Sequence, residues 1–159
     1  MKSSLTESYE PINVLLAEDD ADDQFLFSDT ISQFPFTTQV TIVENGIDLL
    51  EKLQDKKFVP DIVFLDLNMP KMDGKECLKF IRNNQRFNDI PCVIFSTSSS
   101  PVEIEETFNN GANLYLVKPT EGNNLIKMIH DVLLLNWRKY FPPQRELFFI
   151  TETSLQKLN

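Results

Sequence analysis

Asp66 closes the apolar run Ile62-Val63-Phe64-Leu65 and opens onto a turn punctuated by Pro70 and Gly74. Three other apolar runs end in the same manner. Ile12 to Ala17 runs into Glu18 and Asp19, Cys92 to Phe95 into Ser96, and Leu114 to Val117 into Lys118. Carboxylates gathered in one crevice repel one another and drive their pKa values upward. A hard divalent cation relieves that repulsion, and Mg2+ favours a few carboxylates together with waters and a phosphate oxygen. The chemistry this set can perform is phosphoryl transfer onto Asp66, a carboxylate nucleophile that yields an acyl phosphate. The cation and Lys118 neutralise charge on the transferring group, and the Ser96 hydroxyl can bond one of its oxygens. The phosphoryl donor must come from outside. The chain has only four glycines, and none of them builds a G-x-x-x-x-G-K-[ST] or G-x-G-x-x-G loop.

Elements that would bring these residues together follow from the hydrophobic pattern. Short continuous apolar runs bounded by turn residues read as strands covered on both faces, as in parallel sheets. Four such runs, with the β-branched segment Gln39 to Val43 as a fifth, alternate with helical stretches. The expected helices are Ala21 to Phe34, a short one after Asn45-Gly46, Lys75 to Asn84, one begun by Ser100-Pro101 and stopped at Asn110-Gly111, and Glu121 to Tyr140. Five alternations predict an α/β fold with a five-stranded parallel doubly wound sheet and helices on both faces. In such sheets ligands collect at the carboxyl ends of the strands, where all five candidate residues fall.

Composition narrows the partners. The chain has 159 residues, a formal charge of −9 and a pI near 4.6, so a nucleic-acid backbone would be repelled. Cys77 and Cys92 have neither the number nor the spacing of a disulfide framework or a metal site, and are expected to be reduced core thiols. No run approaches the ~18 apolar residues of a membrane span, and residues 1–10 lack an apolar signal core, so a cytoplasmic protein without membrane insertion is expected. Residues 1–11 are expected to be disordered or loosely attached, 12–140 to form one domain, and 141–159 to form a tail too short for an output domain.

With these pieces in place, the chain resembles the receiver domain of two-component response regulators, the CheY-like family with its flavodoxin-like sheet. The resemblance is carried by Val14-Leu-Leu-Ala-Glu-Asp19, Val63-Phe-Leu-Asp-Leu-Asn-Met-Pro70 with Met72-Asp-Gly74, Val93-Ile-Phe-Ser96 and Gly111-Ala-Asn-Leu-Tyr-Leu-Val-Lys-Pro119. It implies that Asp66 is the phosphoacceptor, Asp19 a direct Mg2+ ligand, and Glu18 a ligand acting mainly through water. It further implies that Asn68 offers its backbone carbonyl to the metal, that Lys118 and Ser96 meet the phosphoryl group, and that Tyr115 is an aromatic switch following Ser96. The partners implied are a sensor or hybrid histidine kinase and a downstream protein target or phosphotransfer protein. The overall shape is similar to small stand-alone regulators that pair with hybrid or phytochrome-type kinases. Two departures stand out. Ser96 takes the place of the commoner Thr and keeps the hydroxyl, while Thr120-Glu121 follows Pro119 where an apolar residue is usual.

Other functions fit less well. An Mg2+-dependent phosphohydrolase needs a second acid two residues after its nucleophile, and that position is Asn68. A flavodoxin-like cofactor binder would place a phosphate where this chain has Glu18-Asp19-Asp20. A degenerate receiver acting as a constitutive binding module is the remaining alternative. Asp20, Asp22, Asp23 and Asp73 read as cap and turn residues, and Ser98 to Ser100 as a capping loop. The last helix carries more apolar residues than one stripe can bury. Met128, Leu135 and Trp137 are therefore expected to form a homodimer patch, unless the apolar knot Leu147 to Ile150 folds back over them.

Overall fold

The computed structural model of the chain describes Ser4, Leu5 and residues 10–159. Each apolar run becomes a strand: β1 Ile12–Ala17, β2 Thr38–Val43, β3 Ile62–Leu65, β4 Cys92–Ser96 and β5 Leu114–Val117. Between them lie α1 Ala21–Ser32, α2 Gly46–Gln54, α3 Gly74–Arg82 and α4 Pro101–Asn109, and α5 Gly122–Leu133 follows β5. The tail adds α6 Arg145–Phe148 and a two-residue strand, β6 Phe149–Ile150. All pairings are parallel, in the order β2-β1-β3-β4-β5-β6. The sheet thus has six strands rather than the five expected, and the extra one is an edge strand from the tail.

Strand periodicity divides the core. Val14, Leu16, Ile62, Phe64, Val93, Phe95, Leu114 and Leu116 face α1 and α5. Leu15, Ala17, Val63, Leu65, Cys92, Ile94 and Tyr115 face α2 and α3, with Ile104 and Phe108 of α4 packed alongside. Because successive side chains alternate across the sheet, continuous apolar runs supply both layers at once. Cys77 and Cys92 are buried free thiols, and burial pushes Cys77 up to about 12. Asp20, Asn45 and Asp73 cap α1, α2 and α3, each accepting an N–H bond of 2.8–2.9 Å from the residue three positions on. Ser100 also precedes its helix, but its side chain makes no capping bond.

The end of the chain departs from expectation. The last helix stops at Leu133, and a separate 3-10 turn, Trp137–Tyr140, follows. Asn136 divides the two, because its side chain accepts the Arg138 N–H and starts the new turn. That bend carries Trp137 and Tyr140 inward. Leu155 and Leu158, from a second 3-10 turn, join the same cluster as Met128, Ile129, Val132 and Leu133. Met128 and Trp137 are fully buried and Leu135 nearly so, which removes the exposed patch expected to drive a homodimer. The apolar surplus of the last helix is absorbed within the chain by its own tail. At the other end, Leu5 is buried against the same cluster, and residues 1–3 and 6–9 of the segment expected to be disordered or loosely attached lie outside the described residues.

Trp137→Ala should cost about 3–5 kcal/mol of stability, as removing a fully buried aromatic does. Leu134→Ala, at a side chain 42% exposed, should change stability by less than about 0.5 kcal/mol. Urea unfolding of the two variants checks the assignment, and equal losses would refute it.

Candidate functional site

The site residues are held by hydrogen bonds that continue the sheet ladder one residue past the strand ends. Glu18 N–H donates to the Val43 carbonyl (2.9 Å), Asp66 N–H to Ala17 (3.0 Å) and Lys118 N–H to Ser96 (2.8 Å). Their side chains therefore leave a rigid frame. Beyond Asp66 the chain turns sharply. Lys71 has φ 68°, and Met72 N–H donates to the Pro70 carbonyl across it (2.8 Å), a tight turn in the sparsely populated left-handed region. Gly74 then brings the start of α3 against the strand end, its N–H bonded to the Leu67 carbonyl (3.0 Å). A Cβ at position 74 would stand 2.3 Å from the Asp66 carbonyl oxygen, so only glycine permits this approach.

At the crest of the frame, carboxylate oxygens of Glu18, Asp19 and Asp66 all lie within 4.8 Å of one another. Glu18 and Asp66 are buried and Asp19 is exposed, so the cluster has a dry floor and an open mouth. Lys118 reaches in as counterion. Its ammonium donates to Glu18 and to Asp23 (2.9 Å), and its Nζ stands 3.9 Å from Asp66 Oδ2. Burial pushes Glu18 up to about 7. The Lys118 hydrogen bond opposes that rise, and the neighbouring Asp66 charge adds to it. Burial would lower Lys118, but its bonds to Glu18 and Asp23 and the Asp66 charge outweigh burial and raise it. One cation thus serves a group of acids that carries surplus negative charge. That donor set, hard oxygens only and one of them solvent-facing, fits a hard divalent cation.

A second group lies at the β4 and β5 ends. Ser96 is fully buried, and its Oγ accepts the Ser98 N–H (3.1 Å). Tyr115 is also fully buried, and its hydroxyl donates to the Ser98 carbonyl (2.9 Å). Burial raises the Tyr115 phenol, and hydrogen bonds to Ser96 and Ser98 moderate the rise. Ser98, expected to be capping-loop filler, is the link between Ser96 and Tyr115.

Glu18, Asp19, Asp66 and Lys118 thus converge, and Ser96 and Tyr115 are joined to each other through Ser98. Asn68 lies exposed two residues beyond Asp66. Asp23 is the residue whose part went unforeseen. It was expected only in the first turn of α1, and it binds Lys118 from there. Its signal was its place: it lies in the first turn of α1, three residues beyond the N-cap Asp20 and just past the end of β1.

Fold and site together define a doubly wound α/β protein with an acidic, lysine-paired crevice at its strand ends. The sequence description of the response regulator receiver domain matches residues 14–130. Among curated relatives, the probable methanogenesis regulatory protein FilR2 of Methanothrix harundinacea is 29% identical over 139 residues, covering 84% of this chain and 90% of its own. Response regulator Rcp1 of Synechocystis is 29% identical over 131 residues, covering 79% and 89%. The Mn2+-bound form of Rcp1 superposes with a TM-score of 0.71 at 28% identity, over 77% of this chain and 91% of that one. The phosphorylated cyanobacterial phytochrome response regulator RcpA gives 0.73 at 26% identity, with the same coverage. The chain belongs to the response regulator receiver domain family. It is a two-component response regulator with the CheY-like fold.

The raised Glu18 has a consequence for stability. Its ordinary value is 4.5 and its value in the fold is about 7, so between these the folded chain binds the extra proton. The stability contributed by protonated Glu18 is complete below about 4.5 and is lost as pH rises through about 7. In metal-free buffer the urea midpoint of the wild type should fall more steeply across that window than that of Glu18→Gln. Parallel profiles would show that the Glu18 proton is not coupled to folding.

Proposed function

We propose that Asp66 accepts a phosphoryl group from a phosphohistidine of a sensor or hybrid histidine kinase, with Mg2+ as cofactor. The phosphorus–nitrogen bond of the donor breaks, and a phosphorus–oxygen bond forms to the Asp66 carboxylate. Asp19, Asp66 and the backbone carbonyl of Asn68 would hold the ion, with Glu18 acting mainly through water. When bound, the ion screens charge between the acceptor and the arriving phosphoryl oxygens. The chain's own groups do the rest. Lys118 supplies positive charge at the acceptor, and Ser96 offers a hydroxyl to a phosphoryl oxygen. Tyr115 follows Ser96 and carries the change away from the site.

The observation that carries this reading is the cluster itself: three carboxylates within 4.8 Å of one another, with the Lys118 ammonium 3.9 Å from Asp66. The intact Asp66, Ser96 and Lys118 weigh against a degenerate receiver. Asn68, where a hydrolase would need its second acid, weighs against turnover as a phosphohydrolase. Output would pass to a downstream protein or a phosphotransfer protein in the cytoplasm. No helix among the described residues is long and apolar enough to cross a membrane. A homodimer through the last helix is not part of this proposal, since the side chains meant for it are buried under the tail.

Acetyl phosphate with Mg2+ should add one phosphoryl group to the wild type, seen by intact mass, and none to Asp66→Asn. Asp19→Asn should weaken Mg2+ binding at least about tenfold, the lesser end of what altering the surroundings of a bound metal costs. Labelling that persists in Asp66→Asn, or that needs no divalent ion, would overturn the assignment.

A further inference from the structure

The switch tyrosine is gripped at both ends, and one grip belongs to the tail. Its hydroxyl is tied to Ser98, on the loop that leaves Ser96. Its ring is covered by residues from beyond the last helix. β6 lies beside β5 with Tyr115 opposite Phe149, and the rings of Phe148 and Phe149 stand 6.3 and 5.9 Å from the Tyr115 ring. α6 is in turn anchored on α4. The Arg145 guanidinium donates two bonds of 2.8 Å to the Glu105 carboxylate and lies 4.3 Å over the Phe108 ring. Phe108 meets Phe148 edge to face at 5.1 Å. A bidentate pair of this kind fixes orientation as well as distance.

Farther along, the tail also holds the residues just beyond Lys118. Glu152 accepts from the Thr120 N–H (3.3 Å), the Thr120 hydroxyl (3.0 Å) and the Asn124 amide (3.1 Å). Thr120 is the position where this chain departs from an apolar residue, and its polar group is used to bind the tail.

We propose that residues 145–150 belong to the switch: their docking and the occupancy of Asp66 by a phosphoryl group favour the same inward placement of Tyr115, so each strengthens the other. This rests on the phosphoacceptor reading of Asp66. The sign of the coupling follows from packing. If Tyr115 turned from Ser98 toward the edge of β5, its ring would enter the space filled by Phe148 and Phe149. An undocked tail would open that space and would also strip the buried ring of its apolar cover. A phosphoryl group that draws Ser96 toward Asp66 would carry the Ser98 loop with it and hold the Tyr115 hydroxyl inward. Both ligands of Tyr115, the loop and the tail, thus act on one side chain with two placements. Linkage makes the effect reciprocal.

The test uses the full chain and beryllofluoride with Mg2+, a tetrahedral mimic of the phosphoryl group. By titration calorimetry, Phe149→Ala and Arg145→Ala should each weaken beryllofluoride binding about fivefold, the lower end of typical coupling between two sites. Arg145 and Glu105 are both exposed, so Arg145→Ala should stay folded even if Phe149→Ala does not. The charge-reversed pair Arg145→Glu with Glu105→Arg should recover most of the loss. Conversely, beryllofluoride should slow hydrogen exchange of the β6 amides in the wild type by a similar factor. Wild-type-like affinity in the folded variants together with unchanged β6 exchange would overturn the inference and leave Asp66 as acceptor. Tighter binding in the variants would overturn it too, by making the tail an opponent of the switch. A wild type that binds no beryllofluoride would overturn the acceptor reading itself.

Discussion

The rest of the structure depends on like charges held close together. At an effective dielectric of about 20, two carboxylates roughly 4.8 Å apart repel by about 3–4 kcal/mol. The sheet enforces that proximity. The backbone bonds at Glu18, Asp66 and Lys118 continue the strand ladder, so these side chains can relax their charges only by swinging, not by moving their anchors. Within the chain the relief comes from one ammonium, Lys118, shared between Glu18 and Asp23 and held short of Asp66. Burial of the Glu18 carboxyl, with the neighbouring Asp66 charge adding to it, pushes it up to about 7. A site balanced this way is poised. A divalent cation or an added anion at Asp66 would change the balance of charge around Lys118 without requiring a strand to move.

The sequence-level pattern made most of this visible because strand-end chemistry has a simple signature. A buried strand in a parallel sheet is an unbroken apolar run, and a charge at its end can only be there for the crevice or for a cap. Glu18, Asp19, Asp66, Ser96 and Lys118 were legible for that reason, and so was the alternation of elements. The tail was not. An apolar surplus on the last helix shows that something covers it, but not whether the cover is a second copy or the chain's own continuation. Two-residue β6 is shorter than any periodicity, and Asn136, which splits the expected helix, could equally have sat inside one. Asp23 and Ser98 were misjudged because each does two things. Asp23 lies in the capped first turn of α1 and also binds Lys118, while Ser98 sits in a loop and also bridges Ser96 to Tyr115.

These two residues matter because they connect the site to structure outside it. Asp23 makes the first turn of α1 a partner of Lys118, so the charge state of the crevice is felt on the α1–α5 side of the sheet. Ser98 carries the opposite connection, toward Tyr115 and the α3–α4 side. The crevice sits above both layers of the core and is hydrogen-bonded toward each, through Asp23 on one side and Ser98 on the other. A change in occupancy at Asp66 can therefore reach either face.

The tail closes that arrangement, because it touches both layers at once. Phe149 packs beside Tyr115 in the core layer of α2 and α3, while Ile150, the next residue of β6, packs with α1 and α5 in the other. The alternation of a strand across a sheet makes this possible for a segment of only a few residues. Leu155 and Leu158 then extend the hold along α5, and Glu152 fixes the turn that follows Lys118. A segment so placed shares its packing with Tyr115. Any shift of Tyr115 changes its seat at Phe148 and Phe149, and any loosening of the tail uncovers apolar surface on both sides of β5. The face beside β5 is occupied by the chain itself, through Phe148, Phe149 and Ile150.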